Sequence, residues 1–209
     1  MSADFPPAPW DLCGQGWLTV WTAPRSAVSP RLPGVVPLSL FGRVLVVSAF
    51  VDYRPPGLLT YHELMTAVVV RCGVRLGLSI TDIWVDDEQS RDGARTMWGI
   101  PKELADFTLA ADPLAATASA EPPTGADRPA VIASATEQPF TAPGLPVRLA
   151  TSVWQSLHGN AHRTRLGTSA RVRPTRLRWR ITPGGRLGWL TTAKPRLHLA
   201  VTDMRMRFG

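Results

Sequence analysis

Short runs of β-forming residues, each cut off by proline or glycine, recur along this chain and leave room for little but a β-rich fold. The sequence holds 20 prolines and 17 glycines in 209 residues. Proline lacks the N–H that a sheet interior needs, so Pro6-Pro7-Ala8-Pro9 reads as an arm packed on the surface. Trp17-Leu18-Thr19-Val20-Trp21 reads as a strand, and Val44 to Val51 as a buried one, stopped by Arg54-Pro55-Pro56-Gly57. Ala67-Val68-Val69-Val70 lies in a third strand, ended by a turn at Cys72-Gly73. Val74 to Trp84 supplies a fourth, with Val74, Leu76, Leu78 and Ile80 on one face.

Helix signals are few. Ser90 or Asp92 is placed to cap a short helix beginning near Gly93, and Pro101 ends it. Phe107 to Ala110 reads as a strand again. Residues 115–120 and 130–136 are predicted to pair as a hairpin whose tip is the turn-rich 121–129. Their small side chains suit either a backbone close to another layer or an exposed ribbon. In Arg171-Val172-Arg173 and Arg176-Leu177-Arg178-Trp179-Arg180, period two puts each set of arginines on one face. Pro183-Gly184-Gly185-Arg186 reads as a turn before a strand at Leu187–Leu190, and Leu197–Val201 begins the last strand. The expected class is mainly β, barrel-like, with few short helices, and residues 1–209 are expected to form one domain.

Lysine is nearly absent. Only Lys102 and Lys194 occur, against 21 arginines. A chain that uses arginine for generic positive charge retains Lys102 inside the apolar Met97-Trp98-Gly99-Ile100-Pro101-Lys102-Glu103-Leu104-Ala105. A guanidinium stays protonated and is no nucleophile. A lysine amine held away from water loses its proton more readily and attacks carbonyls. The plainer reading is a solvated lysine after a proline.

These same residues carry a resemblance. Trp98-Gly99-Ile100-Pro101-Lys102-Glu103-Leu104-Ala105 resembles the segment around the Schiff-base lysine of the acetoacetate decarboxylase superfamily, whose activated lysine is a standard instance of covalent amine catalysis. Arg95, seven residues earlier, suits the upstream arginine of that pattern. Tyr61-His62-Glu63 looks like the family's Tyr-x-Glu segment, with Glu63 preceding Lys102 by 39 residues. The closing Val201 to Gly209 is similar to the last strand of many members.

The resemblance implies a closed, cone-like antiparallel β-barrel with the site inside. Lys102 and Glu63 would be catalytic, with Arg95, Trp98 and Tyr61 binding substrate and Arg95 holding a carboxylate by a bidentate contact. The substrate would be a keto acid or related carbonyl compound. Its fate would be decarboxylation or the aldol, dehydration and cyclisation reactions of relatives, as in secondary metabolism. No cofactor and no metal are expected, and a homo-oligomer is expected by analogy. Two departures stand out. Glu103 occupies the place of a second lysine, and a carboxylate facing the amine would raise its pKa. The family's N-terminal arginine has no clear counterpart; an ungapped count puts Gln15 near it.

Charge offers a competing class. Residues 1–147 carry 10 basic and 15 acidic side chains, whereas residues 148–209 carry 13 basic residues and only Asp203 as an acid. An arginine-rich third with Trp154, Trp179 and Trp189 nearby suits nucleic acid. No binding motif accompanies it, so a solvated arginine face is preferred. A barrel that binds a small molecule without turnover is the remaining alternative. His158 and His162 stand four apart, but Gly159-Asn160 between them disfavours a helical metal pair. Cys13 and Cys72 read as free thiols. No apolar run spans a membrane and the N-terminus lacks a secretory pattern, so the expected location is cytoplasmic.

Overall fold

The computed structural model describes residues 4–28, 32–120, 130–138 and 140–209. The first half contains β1 (Trp10–Pro24), β2 (Val35–Pro37), β3 (Ser39–Leu40), β4 (Arg43–Arg54), β5 (Tyr61–Cys72) and β6 (Arg75–Val85). Helix α1 (Glu88–Trp98) follows, then β7 (Lys102–Leu104), β8 (Asp106–Ala111), β9 (Leu114–Ala120) and β10 (Ala130–Gln138). The last third is β11 (Leu145–Leu157), β12 (Asn160–Pro174), β13 (Arg176–Ile181) and β14 (Lys194–Phe208).

Strands β5, β4, β1, β14, β12, β11 and β6 hydrogen-bond in that order, and β6 returns to β5, so seven strands close into the expected barrel. All seams but one are antiparallel. The exception is β11 against β6, which run parallel and meet at Val153 and Leu78. Gly77 makes this seam possible, because a Cβ there would lie 2.4 Å from the Ser152 carbonyl oxygen. Before Val153, β11 pairs only with β12, and Leu145, Val147 and Leu149 stay exposed on that ribbon.

A second sheet, ordered β13-β10-β9-β8, packs on the barrel's outer face. Trp17, Phe50 and Trp84 from the barrel meet Ala116, Ala118, Ala133 and Ala135 there. The small residues therefore serve close approach of two layers, the first of the two uses open to them. Trp179 stacks on Phe50 at 5.4 Å between ring centroids, and its indole N–H donates to the fully buried Thr19 hydroxyl at 2.7 Å. The hairpin tip expected over 121–129 lies outside the described residues.

Four local expectations are corrected. The helix starts at Glu88, not near Gly93, because Asp87 is its N-cap and accepts the Ser90 N–H at 2.6 Å. It stops at Gly99 in the left-handed conformation, ahead of Pro101. Leu187–Leu190 is not a strand: Gly188–Thr192 forms a 3-10 turn, with Leu187 and Leu190, three apart, both buried. Val74 and Leu76 do not extend the inner face of β6, for they sit exposed at the β5–β6 hairpin end.

The uneven charge finds partners across the fold. Arg173 pairs with Glu137, Arg186 with Asp82 and Glu103, and Arg207 with Asp11. Basic residues of the last third thus meet acids of the earlier chain. Among the described residues no helix is long and apolar enough to cross a membrane.

Candidate active site

The parallel pairing of β7 with β6 sets Lys102 beside Ile83 and turns its side chain into the barrel, where it is 4% exposed. Nζ donates to Ser90 Oγ at 2.8 Å and to Tyr61 Oη at 3.1 Å, and lies 3.0 Å from Glu63 Oε2. Each partner arrives through the period of its own element. Tyr61, Glu63 and Met65 alternate onto the inner face of β5. His62, between them, points outward and meets Asp86 through Nδ1 at 2.6 Å. On α1, Ser90, Ala94 and Trp98 recur every fourth residue and are all buried.

Two opposed effects act on Lys102. Burial pushes its ammonium toward neutrality, but Glu63 and Tyr61 hold the proton and outweigh it, leaving the pKa above 10.5. Burial, followed by Glu63, pushes the Tyr53 phenol well above 10.0. Burial also raises Tyr61, although Lys102 opposes this. Both phenols are therefore proton donors at neutral pH. Tyr53 Oη reaches Glu63 Oε1 at 3.5 Å.

This polar cluster closes on a cavity of about 80 Å³. Most of its wall is hydrocarbon, thioether or indole. Trp98 anchors one side, edge-on to Trp10 at 4.8 Å and to Phe208 at 4.7 Å. Such aromatic pairs add about 0.5–1.5 kcal/mol each beyond the area they bury.

Of the residues singled out in the sequence, Lys102, Glu63, Tyr61 and Trp98 come together at the cavity. Arg95 does not. One residue past Ala94 on the helix, it turns to the exposed face and borders a separate outer cleft with Asp86, Glu88 and Glu103. Glu103 points away from the amine, as the strand period requires, and pairs with Arg186 at 2.5 Å. The carboxylate that raises the lysine pKa is Glu63. Gln15 faces Asp52 at 3.2 Å and does not line the cavity. Ser90 and Tyr53 were missed as site residues. Helical spacing back from Trp98 points to Ser90, and the β4–β5 register pairs Tyr53 with Tyr61. Among the described residues, no three His, Cys, Asp or Glu side chains gather as a metal site.

Gly99 links helix to lysine strand at a φ of 67°, and a Cβ there would lie 2.1 Å from the Ser156 carbonyl oxygen. Gly99→Ala is expected to cost at least about 3 kcal/mol, from left-handed strain plus the backbone clash. A melting point lowered by roughly 6–12 °C would register it.

Residues 3–126 match the family model of acetoacetate decarboxylase (ADC). The chain belongs to that family. Solved members of the fold agree across nearly the whole chain. The acetoacetate decarboxylase of Legionella pneumophila is 17% identical, with a TM-score of 0.67 over 99% of this chain and 87% of its own. An acetoacetate decarboxylase-like enzyme from Sphingomonas wittichii RW1 is 14% identical, at 0.65 over 98% and 92%. The enduracididine biosynthesis enzyme MppR is 14% identical, at 0.64 over 99% and 87%. No curated protein matches in sequence. Within this acetoacetate decarboxylase-family barrel, the lysine resembling the family's Schiff-base residue is the one that the fold buries against a carboxylate.

Proposed function

We propose that this acetoacetate decarboxylase-family chain, as one domain over residues 1–209, is a Schiff-base-forming enzyme that makes or breaks bonds next to a carbonyl through Lys102. One observation carries the reading. The amine sits in an apolar chamber, 3.0 Å from a carboxylate able to take its proton and return it. A lysine kept only for solubility would face water.

At rest the pair is ammonium and carboxylate. When a carbonyl compound displaces water from the chamber, the charged pair loses stabilisation and the neutral pair gains. One proton moves from Nζ to Glu63, and the free amine adds to the carbonyl carbon. The C–N bond forms as the C=O π bond breaks, and the oxygen is protonated. With the second proton passed from nitrogen to oxygen, one water leaves and an iminium remains beside the Glu63 carboxylate. The iminium then accepts an electron pair from the neighbouring carbon as a bond there breaks: to CO2, to a second carbonyl fragment or to hydrogen. Tyr61 and Ser90 hold Nζ in line throughout, and Tyr53 restrains Glu63. A cytoplasmic, homo-oligomeric protein belongs to the same proposal, the oligomer supported by the exposed apolar edge of β11.

The test is reductive trapping with cyanoborohydride in the presence of acetoacetate, pyruvate or 3-methyl-2-butanone, read by intact mass and peptide mapping. A stable adduct on Lys102 with any of the three is the expected result. No adduct, or one confined to Lys194, overturns the proposal.

A further inference from the structure

The chamber around Lys102 is electrically balanced as built. Its one ammonium and its one carboxylate face each other at 3.0 Å. Among the described residues no arginine and no second lysine lines it. Arg95, the residue the sequence offered as a carboxylate clamp, opens on the outer cleft. Among the described residues the other polar lining groups are uncharged: the two phenols, both engaged, and the indole N–H groups of Trp10, which donates to the Pro6 carbonyl, and Trp98. Tyr61 Oη receives Lys102, and Tyr53 Oη turns to Glu63. The remaining wall, including Leu78, Leu166, Met65 and Met206, has nothing to offer a charge.

A keto acid would bring a second negative charge into this space. An unpaired carboxylate in an apolar interior is among the costliest groups to bury, and Glu63 would repel it. An uncharged ketone or aldehyde leaves the balance untouched. One water departs, and the single positive charge stays on the lysine nitrogen, still facing Glu63.

We infer that this site takes short, uncharged ketones or aldehydes with apolar substituents in preference to carboxylate-bearing keto acids. The inference rests on the Schiff-base reading of Lys102 and narrows its substrate class. Size agrees. An apolar cavity of about 150 Å³ admits benzene, so about 80 Å³ holds roughly three heavy atoms as built, and a short ketone gains the rest of its room when the flexible Met65 and Met206 move. From the iminium of such a ketone, Glu63 takes an α-proton. The C–H electron pair becomes a C=C bond, the iminium π pair passes to nitrogen, and an enamine results. Reprotonation from solvent exchanges the α-hydrogen.

The test compares 3-methyl-2-butanone with pyruvate, a near-isosteric pair in which an isopropyl group replaces the carboxylate. Trapped adduct on Lys102 is measured against concentration, each compound normalised to its adduct with an acetylated lysine in free solution. The ketone is expected to half-saturate the protein at a concentration at least about tenfold lower. In deuterated water it should also gain α-deuterium in the presence of protein. Equal or tighter saturation by pyruvate overturns this inference and leaves the Schiff-base reading standing. No adduct with the ketone overturns this inference, and no adduct with the ketone, pyruvate or acetoacetate overturns both.

Discussion

Lys102→Arg abolishes the trapped adduct and lowers turnover by roughly 10,000-fold or more, the scale on which removal of a covalent nucleophile acts. The substitution keeps a positive charge beside Glu63, so loss of the ion pair does not explain the effect. What disappears is an amine able to become neutral, since a guanidinium stays protonated in any such setting. The longer side chain must fit beside a cavity of only about 80 Å³, and overpacking costs about 1–3 kcal/mol. The variant should therefore fold, with an unchanged circular dichroism spectrum and a melting point a few degrees lower. Turnover within tenfold of the parent would remove Lys102 from the chemistry.

The second large effect concerns stability. Glu63 and Lys102 are each 4% exposed and, among the described residues, have only each other as charge partners within the cavity wall. Glu63→Leu strands an ammonium in hydrocarbon, and Lys102→Met strands a carboxylate. Each single change is expected to cost about 3–5 kcal/mol, whereas the double replacement is expected to be neutral or more stable by about 1–4 kcal/mol. Calorimetry on all four proteins measures the coupling, and single effects that simply add would refute it. The sign with pH follows from the raised Lys102 pKa. The pair's contribution is complete below 10.5 and fades as pH climbs through the higher folded value. The parent should therefore fall further below the double variant in stability as the solution turns alkaline. A stability site would not be built this way, because apolar side chains would hold better. The pair makes sense as stored chemistry.

Much of the barrel was legible because its strands are bounded by residues with fixed backbone demands. Gly73 turns β5 into β6, and Pro55-Pro56-Gly57 stops β4. Period two along β5 is enough to put Glu63 and His62 on opposite faces, as the structure has them. The helix start was misplaced because residues 86–92 are all polar. That stretch is also where the exposed face of a surface helix begins, with Asp87 as its cap. Arg95 falls outside the cavity for a related reason. Proximity to Lys102 in sequence says nothing about helical phase, and one residue past Ala94 is enough to send a side chain to solvent. Ser90 and Tyr53 were hidden because what brings them to Lys102 is long-range. Tyr53 reaches the site through register across β4 and β5, and Ser90 through α1 docking on the barrel mouth. Tyr53 leaves no local signature, and for Ser90 the spacing from Trp98 marks only the buried face of the helix. The 3-10 turn at Gly188–Thr192 likewise depends on burial of Leu187 and Leu190, which composition cannot reveal.

Burial divides the two lysines completely. Lys102 is sealed in the chamber, while Lys194 stands in water at the start of β14. An acylating dye or activated resin at neutral pH would therefore find only Lys194 among the lysine side chains. Molecules coupled to a support through that amine would all hang from the same strand in the same orientation, with the barrel interior untouched by the linkage.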